Sequence, residues 1–279
     1  DNMLIDVHTH LWETCVEESK QGILSMCETF GIDKVYVSGL HTYCPDEAEV
    51  TRLNDYVVSF MREHPGLVEG DCYLNPRNAN SLSELRRRIE DDGMCGIKLW
   101  ASVFCDDPSV NPIAEQAIHY DIPVLVHTFH KAVDQLPNES LGENMAALAR
   151  RHPEARFIMA HIGANCLREL RCVKDLPNVW ADFSGSISHA DDLEYAVRIL
   201  GVESCSAAIC RISRFKRATA SFWRPISPRK NARRSRGKTR RTYLEGGRRN
   251  EREHHGFRLQ RLFGYMAVPP VLSRRLRRA

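Results

Sequence analysis

The chain predicts an α/β fold of the (β/α)8 TIM-barrel kind, incomplete, with its eighth strand replaced by an anomalous basic tail. Three observations lead there. Short apolar runs recur about every 25–35 residues with helical patterns between them. Such alternation implies a parallel sheet with right-handed crossovers. The first strand runs into His8-Thr9-His10 rather than the Gly-rich phosphate loop expected of an open doubly wound sheet. The 279 residues suit one barrel, for which about 250 is typical.

The strands are expected at Met3–Val7, Lys34–Gly39, Leu67–Leu74, Gly96–Trp100, Ile122–His127, Arg156–His161 and Asn178–Phe183, each bounded by Gly, Pro or Asp. Asp46–His64 reads as a helix. Val50, Leu53, Val57, Phe60 and Met61 recur at helical spacing, and Pro65 follows its end. Met145–Arg151 and Leu167–Val173 sit in similar segments.

The net charge of +3 hides a division. Residues 1–202 hold 17 Lys+Arg against 32 Asp+Glu, a net −15, and residues 203–279 hold 22 against 4, a net +18. No Asp follows Asp192. The chain therefore divides into a barrel of seven strands over 1–202 and an Arg-rich tail over 203–279, expected to be poorly ordered. The acidic first part argues against nucleic acid as a specific partner. No stretch approaches the ~18 apolar residues of a membrane helix. The N-terminus has neither a basic region nor an apolar leader, which predicts no signal peptide and a cytoplasmic protein. The ten cysteines show no CxxC pair and read as free thiols of a reducing cytosol.

Reactive groups of such barrels gather at the C-terminal ends of the strands. The first strand ends Asp6-Val7-His8-Thr9-His10, and a period of two puts Asp6, His8 and His10 on one side. The fifth ends in His127 and the sixth in His161. One histidine at a strand end is usually a hydrogen-bonded structural residue. Four at the same end of three strands point to a divalent metal, which neutral imidazole binds well.

Lys98 is charged within an otherwise apolar strand. It is either a snorkelling or ion-paired lysine or a site lysine. Asp182 reads as a structural aspartate rather than a ligand. His41, His64, His119, His130, His152 and His189 read as solvated or capping residues, with His130 notable for its closeness to His127.

Ile5-Asp6-Val7-His8-Thr9-His10, Gly96-Ile97-Lys98-Leu99, Leu125-Val126-His127-Thr128 and Ala160-His161-Ile162-Gly163, in this order, resemble the amidohydrolase superfamily. The closer likeness is to its amidohydrolase-related branch, which includes aminocarboxymuconate-semialdehyde decarboxylase. Asn178–Ser184 is similar to that branch's seventh strand. The resemblance implies a distorted TIM barrel holding one or two divalent metals, Zn²⁺ first, with His8, His10 and His127 as ligands. It implies His161 as a second-metal ligand or the acid/base residue. Lys98 matches a position that bridges two metals as a carbamate in some superfamily members.

The resemblance also implies an Asp at the end of strand eight, after a run like Leu-Phe-Gly-Ser. This chain reads Glu203-Ser204-Cys205-Ser206-Ala207-Ala208-Ile209-Cys210 there. Each codon's third base read with the next two from Ser204 permits Val-Leu/Phe-Gly-Ser-Asp-Leu-Pro. A shifted reading frame near codons 201–204 accounts for that and for the change in charge. The alternative is a natural basic tail, whose Arg233-Arg234-Ser235-Arg236 block would neutralise phosphates while Phe222, Trp223 and Tyr243 stack on bases.

The expected activity is metal-dependent hydrolysis of a small amide, ester or lactone through a metal-activated water. Non-oxidative decarboxylation of a small carboxylated substrate by the same site is the second expectation. A catalytically dead barrel with a non-specific cationic tail is the third, and an open α/β binding protein with structural histidines the fourth. The partner expected is a small-molecule substrate, with a homo-oligomer left open. Loops Thr42–Glu47, Ser102–Pro112 and His130–Glu143 would carry specificity.

Overall fold

The computed structural model describes residues 2–185, 191–201 and 209–213. Eight strands carry the architecture: β1 (Asn2–Trp12), β2 (Lys34–Leu40), β3 (Val68–Leu74), β4 (Gly96–Leu99), β5 (Pro123–Val126), β6 (Arg156–Met159), β7 (Val179–Ala181) and β8 (Ile209–Ser213). The helices are α1 (Val16–Phe30), α2 (Glu47–Glu63), α3 (Ser81–Glu90), α4 (Asn111–Tyr120), α5 (Gly142–Arg151), α6 (Cys166–Val173) and α7 (Asp192–Leu200).

The sheet order is β7-β6-β5-β4-β3-β2-β1-β8, and β1 to β7 are all parallel in sequence order. This is the curled sheet of an incomplete TIM barrel. β4, β5 and β6 are buried along their whole length, as expected of parallel strands covered on both faces.

Local chemistry sets the elements. Asp46 caps α2 by accepting from the Glu49 amide at 2.8 Å. The buried stripe Val50, Leu53, Val57, Val58 and Phe60 faces the sheet. A Cβ on Gly39 of β2 would lie 2.4 Å from the Leu53 carbonyl oxygen, so glycine allows α2 to approach this closely. His64 and His152 are the C-caps of α2 and α5. Cys15, Cys27, Cys44, Cys72, Cys95, Cys105, Cys166 and Cys172 are free thiols. Among the described residues no helix is long and apolar enough to cross a membrane.

Three expectations change. β1 extends well beyond Val7, to Trp12, and carries both histidines inside the strand. Its pairing with β2 shifts register between Asp6 and Thr9, where the His8 amide donates to Asp6 Oδ1 at 3.1 Å. Strict alternation of Asp6, His8 and His10 is therefore broken by an irregularity. Finally, the tail, expected to replace strand eight and be poorly ordered, contributes a strand to the edge of β1. β8 pairs with it antiparallel, from Asn2↔Ser213 to Asp6↔Ile209. That is the opposite sense from a barrel's closing strand. Among the described residues β7 pairs only with β6. The expected disorder of the tail and His189 otherwise lie outside the described residues.

Candidate metal and acid–base centre

The C-terminal ends of β1, β2, β4, β5, β6 and β7 bring His8, His10, Ser38, Lys98, His127, His161 and Asp182 together. Ring contacts run in series. His10 to His8 is 4.7 Å between centroids, His8 to His161 is 5.0 Å, and His161 to His127 is 5.0 Å. His127 thus joins the group through His161. Its Nδ1 lies 3.2 Å from His161 Nε2, and its Nε2 lies 2.7 Å from Glu139.

His8 sits at the middle of the group. Its Nδ1 is 3.0 Å from Asp182 Oδ2 and 2.5 Å from Ser184 Oγ. The Ser184 hydroxyl donates to Asp182 Oδ1, so both neighbours accept and His8 Nδ1 carries the proton. The bare Nε2 accepts from Lys98 Nζ at 3.1 Å and faces His10 Nε2 at 2.9 Å. Ser38 Oγ holds the other nitrogen of His10 at 2.8 Å.

Burial governs the charges. It pushes the pKa of His8, His10, His127 and His161 down, and Lys98 lowers each further. Neutral imidazoles are what a metal requires. Burial also lowers Lys98, to about 8, against the opposing pull of Asp182 and Asp71. Burial opposes ionisation of Asp182, but the charge and hydrogen bond of His8, with His161 and Ser184, hold its carboxyl well below the usual range.

His161 stands on strained backbone. His161, Ile162, Gly163 and Ala164 all have positive φ, at 62°, 45°, 69° and 61°. The β-branched Ile162 is a strong outlier there. β7 holds the turn, since the Ile162 amide donates to the Asp182 carbonyl at 2.7 Å and the His161 amide to Asp182 Oδ1 at 3.2 Å. Strain of this kind persists where surrounding contacts over-determine it.

The donor set fits a divalent cation. Ligand atoms of His8, His161 and Asp182 all lie within 4.8 Å of one another. That grouping includes Asp182, which the sequence reading treated as structural. Ser38, Ser184 and Glu139 were not anticipated at all. No spacing rule marks them, because they reach the histidines from other strands and a loop. Of the histidines set aside, His130 is held by the buried Glu169 at 2.7 Å.

Aromatic rings line the same end. Trp12 lies 6.0 Å from His10 and 6.2 Å from Trp100. Trp100 is 6.1 Å from His127 and 6.5 Å from Tyr43. Phe129 stacks on His127 at 5.9 Å and meets His161 edge-on at 5.3 Å.

This strand order defines an incomplete TIM barrel with a histidine cluster at the C-terminal ends of its strands. The chain belongs to the amidohydrolase family, whose profile matches residues 5–205. Comparison with curated protein sequences gives no match. Among solved structures, 2,6-dihydroxybenzoate decarboxylase from Rhizobium is similar with a TM-score of 0.55 and 15% identity, covering 74% of this chain and 86% of that one. A dihydroxybenzoic acid decarboxylase from a Polaromonas species, with manganese and 2-nitroresorcinol bound, has a TM-score of 0.56, 14% identity, and coverage of 74% and 86%. The 4-oxalomesaconate hydratase of Rhodopseudomonas palustris has a TM-score of 0.53, 15% identity, and coverage of 74% and 80%. At these identities the likeness is one of fold.

Proposed function

We propose that the site acts on a small aromatic carboxylic acid and removes its carboxyl group without oxidation. The observation that carries this reading is the half-buried rim of Trp12, Trp100 and Phe129 on the histidine cluster that the buried Lys98 ammonium also joins through His8. A planar ring suits the rim, and an anionic group suits the ammonium. The solved decarboxylases of this fold support it.

His8, His10 and His127 are the proposed ligands of a divalent cation. Zn²⁺ and Mn²⁺ both suit imidazole with an adjacent carboxylate. When bound, the cation supplies Lewis-acid polarisation of substrate oxygen. Lys98 holds the charge of the substrate carboxylate. As the carbon–carbon bond breaks, its electron pair stays on the ring carbon. A proton taken up from solvent at His161 Nε2, bare in the resting site, is then passed to that carbon.

Hydrolysis, the reaction of the family's description, is the second reading. It needs a base to take a proton from water. Asp182 and Glu139, the carboxylates touching the clustered histidines, are already engaged by His8, Ser184, His127, Lys131 and Gln135, which leaves that part to His161 Nε2. The same histidine serves either reaction, and the aromatic rim is the ground for our preference.

The proposal extends to the tail. The family match stops at residue 205, where the charge turns and where the shifted frame would begin. We therefore read residues 203–279 as replacing a true eighth strand, and the chain as weakly active. Free thiols at the cysteines of the described residues suit a reducing compartment such as the cytoplasm.

The test is CO₂ release from a panel of hydroxybenzoates beside hydrolysis of lactones and aryl esters, with Mn²⁺ or Zn²⁺, for wild type and Lys98→Met. Carbon dioxide release lost in Lys98→Met supports the reading. Ester or lactone turnover without CO₂ release would replace it with hydrolysis.

A further inference from the structure

The segment after β5 leaves the histidine cluster and returns to it. Thr128 pairs with Ser140 as an isolated bridge, and the Phe129 amide donates to the Ser140 carbonyl at 3.0 Å. The Ser140 hydroxyl also accepts from the Cys105 amide at 2.9 Å. This closed strap delivers Glu139, 2% exposed, against His127. The two oxygens of Glu139 have different duties. Oε1 meets His127 Nε2 at 2.7 Å. Oε2 meets three donors: Lys131 Nζ at 2.8 Å, Gln135 Nε2 at 2.9 Å and the Leu136 amide at 3.1 Å.

A carboxylate only accepts, so His127 Nε2 must carry the proton and Nδ1 is bare. His161 is fixed in the opposite way. Its Nδ1 donates to the Ser184 carbonyl at 2.5 Å, which leaves Nε2 bare. The two bare nitrogens, His127 Nδ1 and His161 Nε2, then face each other at 3.2 Å. Two lone pairs at that distance repel unless a cation lies with them.

We infer that Glu139 is the positioning residue of His127: it fixes the Nε2–H tautomer and so makes Nδ1 the atom offered to the metal. This rests on the reading of His127 as a ligand. Partners that lock the unligated nitrogen of a metal-binding histidine are a general device of such sites.

An isosteric change separates this role from packing. In Glu139→Gln the single remaining oxygen goes to the side with three donors. The amide nitrogen then faces His127 Nε2 and donates to it, so the ring must move its proton to Nδ1. The experiment is two-bond ¹H–¹⁵N correlation on the full chain with ¹⁵N-labelled histidine, the His127 signals being assigned by their loss in His127→Gln. Mn²⁺ and Zn²⁺ titrations of the same samples follow. Wild type is expected to show His127 as Nε2–H and Glu139→Gln to show it as Nδ1–H, with metal affinity lower by about 10–100-fold. Glu139→Ala, which removes the acceptor and adds no donor, is expected to show both tautomers.

If His127 stays Nε2–H in Glu139→Gln, or is Nδ1–H in wild type, the inference is overturned even where metal still binds. If the tautomer inverts while neither protein binds metal, Glu139 keeps its positioning role and the ligand reading of His127 falls instead.

Discussion

His8 Nε2 and His10 Nε2 face each other at 2.9 Å, each ring being held from behind, His8 by Asp182 and His10 by Ser38. Two ring nitrogens aimed at one point, with both outer nitrogens already partnered, are the donors a divalent cation would need there. Lys98 Nζ lies 3.1 Å from the same His8 Nε2.

His8→Ala removes one of these two proposed donor nitrogens. Removing a mere outer partner of a metal ligand costs about 10–100-fold in affinity. The substitution is therefore expected to lower Mn²⁺ or Zn²⁺ affinity by at least about 100-fold. Elemental analysis after dialysis against a metal buffer measures it. Equal metal content in wild type and variant would remove His8 from the ligand set.

Asp71 is buried in β3, and burial pushes its carboxyl up to about 7, with Glu69 adding to the rise and Lys98 opposing it. In the unfolded chain the group titrates near 3.9. Between these values the folded protein holds a proton that the unfolded chain has lost. Stability therefore falls as pH rises through that window, by at most about 1.4 kcal/mol per pH unit. Lys98, depressed to about 8, acts oppositely at higher pH, adding stability as pH climbs from there towards about 10.4. Asp71→Asn keeps the shape without the ionisation. It is expected to match wild type near pH 4 and to exceed it at pH 7.5, by an amount on the order of a few kcal/mol. Thermal melts between those pH values check this, and a difference constant with pH would contradict it.

Much of the barrel can be read directly. Gly96–Trp100 and Arg156–His161 were expected as strands, and β4 and β6 fall within them because apolar runs between Gly, Pro and Asp have few other uses in an α/β chain. The apolar run of β1 stops at Val7, yet the strand goes on through the histidines to Trp12, in part because the buried Thr9 bonds the Tyr36 carbonyl of β2. The histidines were visible because strand ends are visible. Asp182 was not, since its partner His8 is 174 residues away and no local pattern distinguishes it from a structural aspartate. Glu139 lies in a segment without periodicity. The left-handed turn at His161 leaves only Gly163 as a sign.

Gly163 is needed there for two reasons. Its φ is +69°, and a Cβ would lie 2.5 Å from Glu169 Cβ and 2.8 Å from Met159 Cε. Both neighbours are buried, so neither yields cheaply. Gly163→Ala is expected to destabilise the fold by about 2–4 kcal/mol, combining backbone strain with overpacking. Gly22→Ala in α1 meets nothing within 4 Å and is expected to stabilise by about 0.5–1 kcal/mol. Urea unfolding of the pair checks both signs, and a neutral Gly163→Ala would mean that the turn can relax.

The last prediction concerns strand eight. β8 joins β1 antiparallel and leaves β7 paired only with β6 among the described residues. An exposed strand edge invites association with other chains. Restoring the frame from Ser204 would place Gly-Ser-Asp-Leu-Pro where the chain now has Ser206-Ala207-Ala208-Ile209-Cys210. The new Asp would add an anionic group beside the histidines, and a parallel strand would cover both edges. The restored protein is expected to bind one equivalent or more of Mn²⁺ or Zn²⁺ and to stay monodisperse. The present chain should bind less and aggregate. Light scattering and elemental analysis of the two proteins side by side decide it. Full metal loading and monodispersity of the present chain would show that the basic segment serves as a genuine eighth element and that no base was lost.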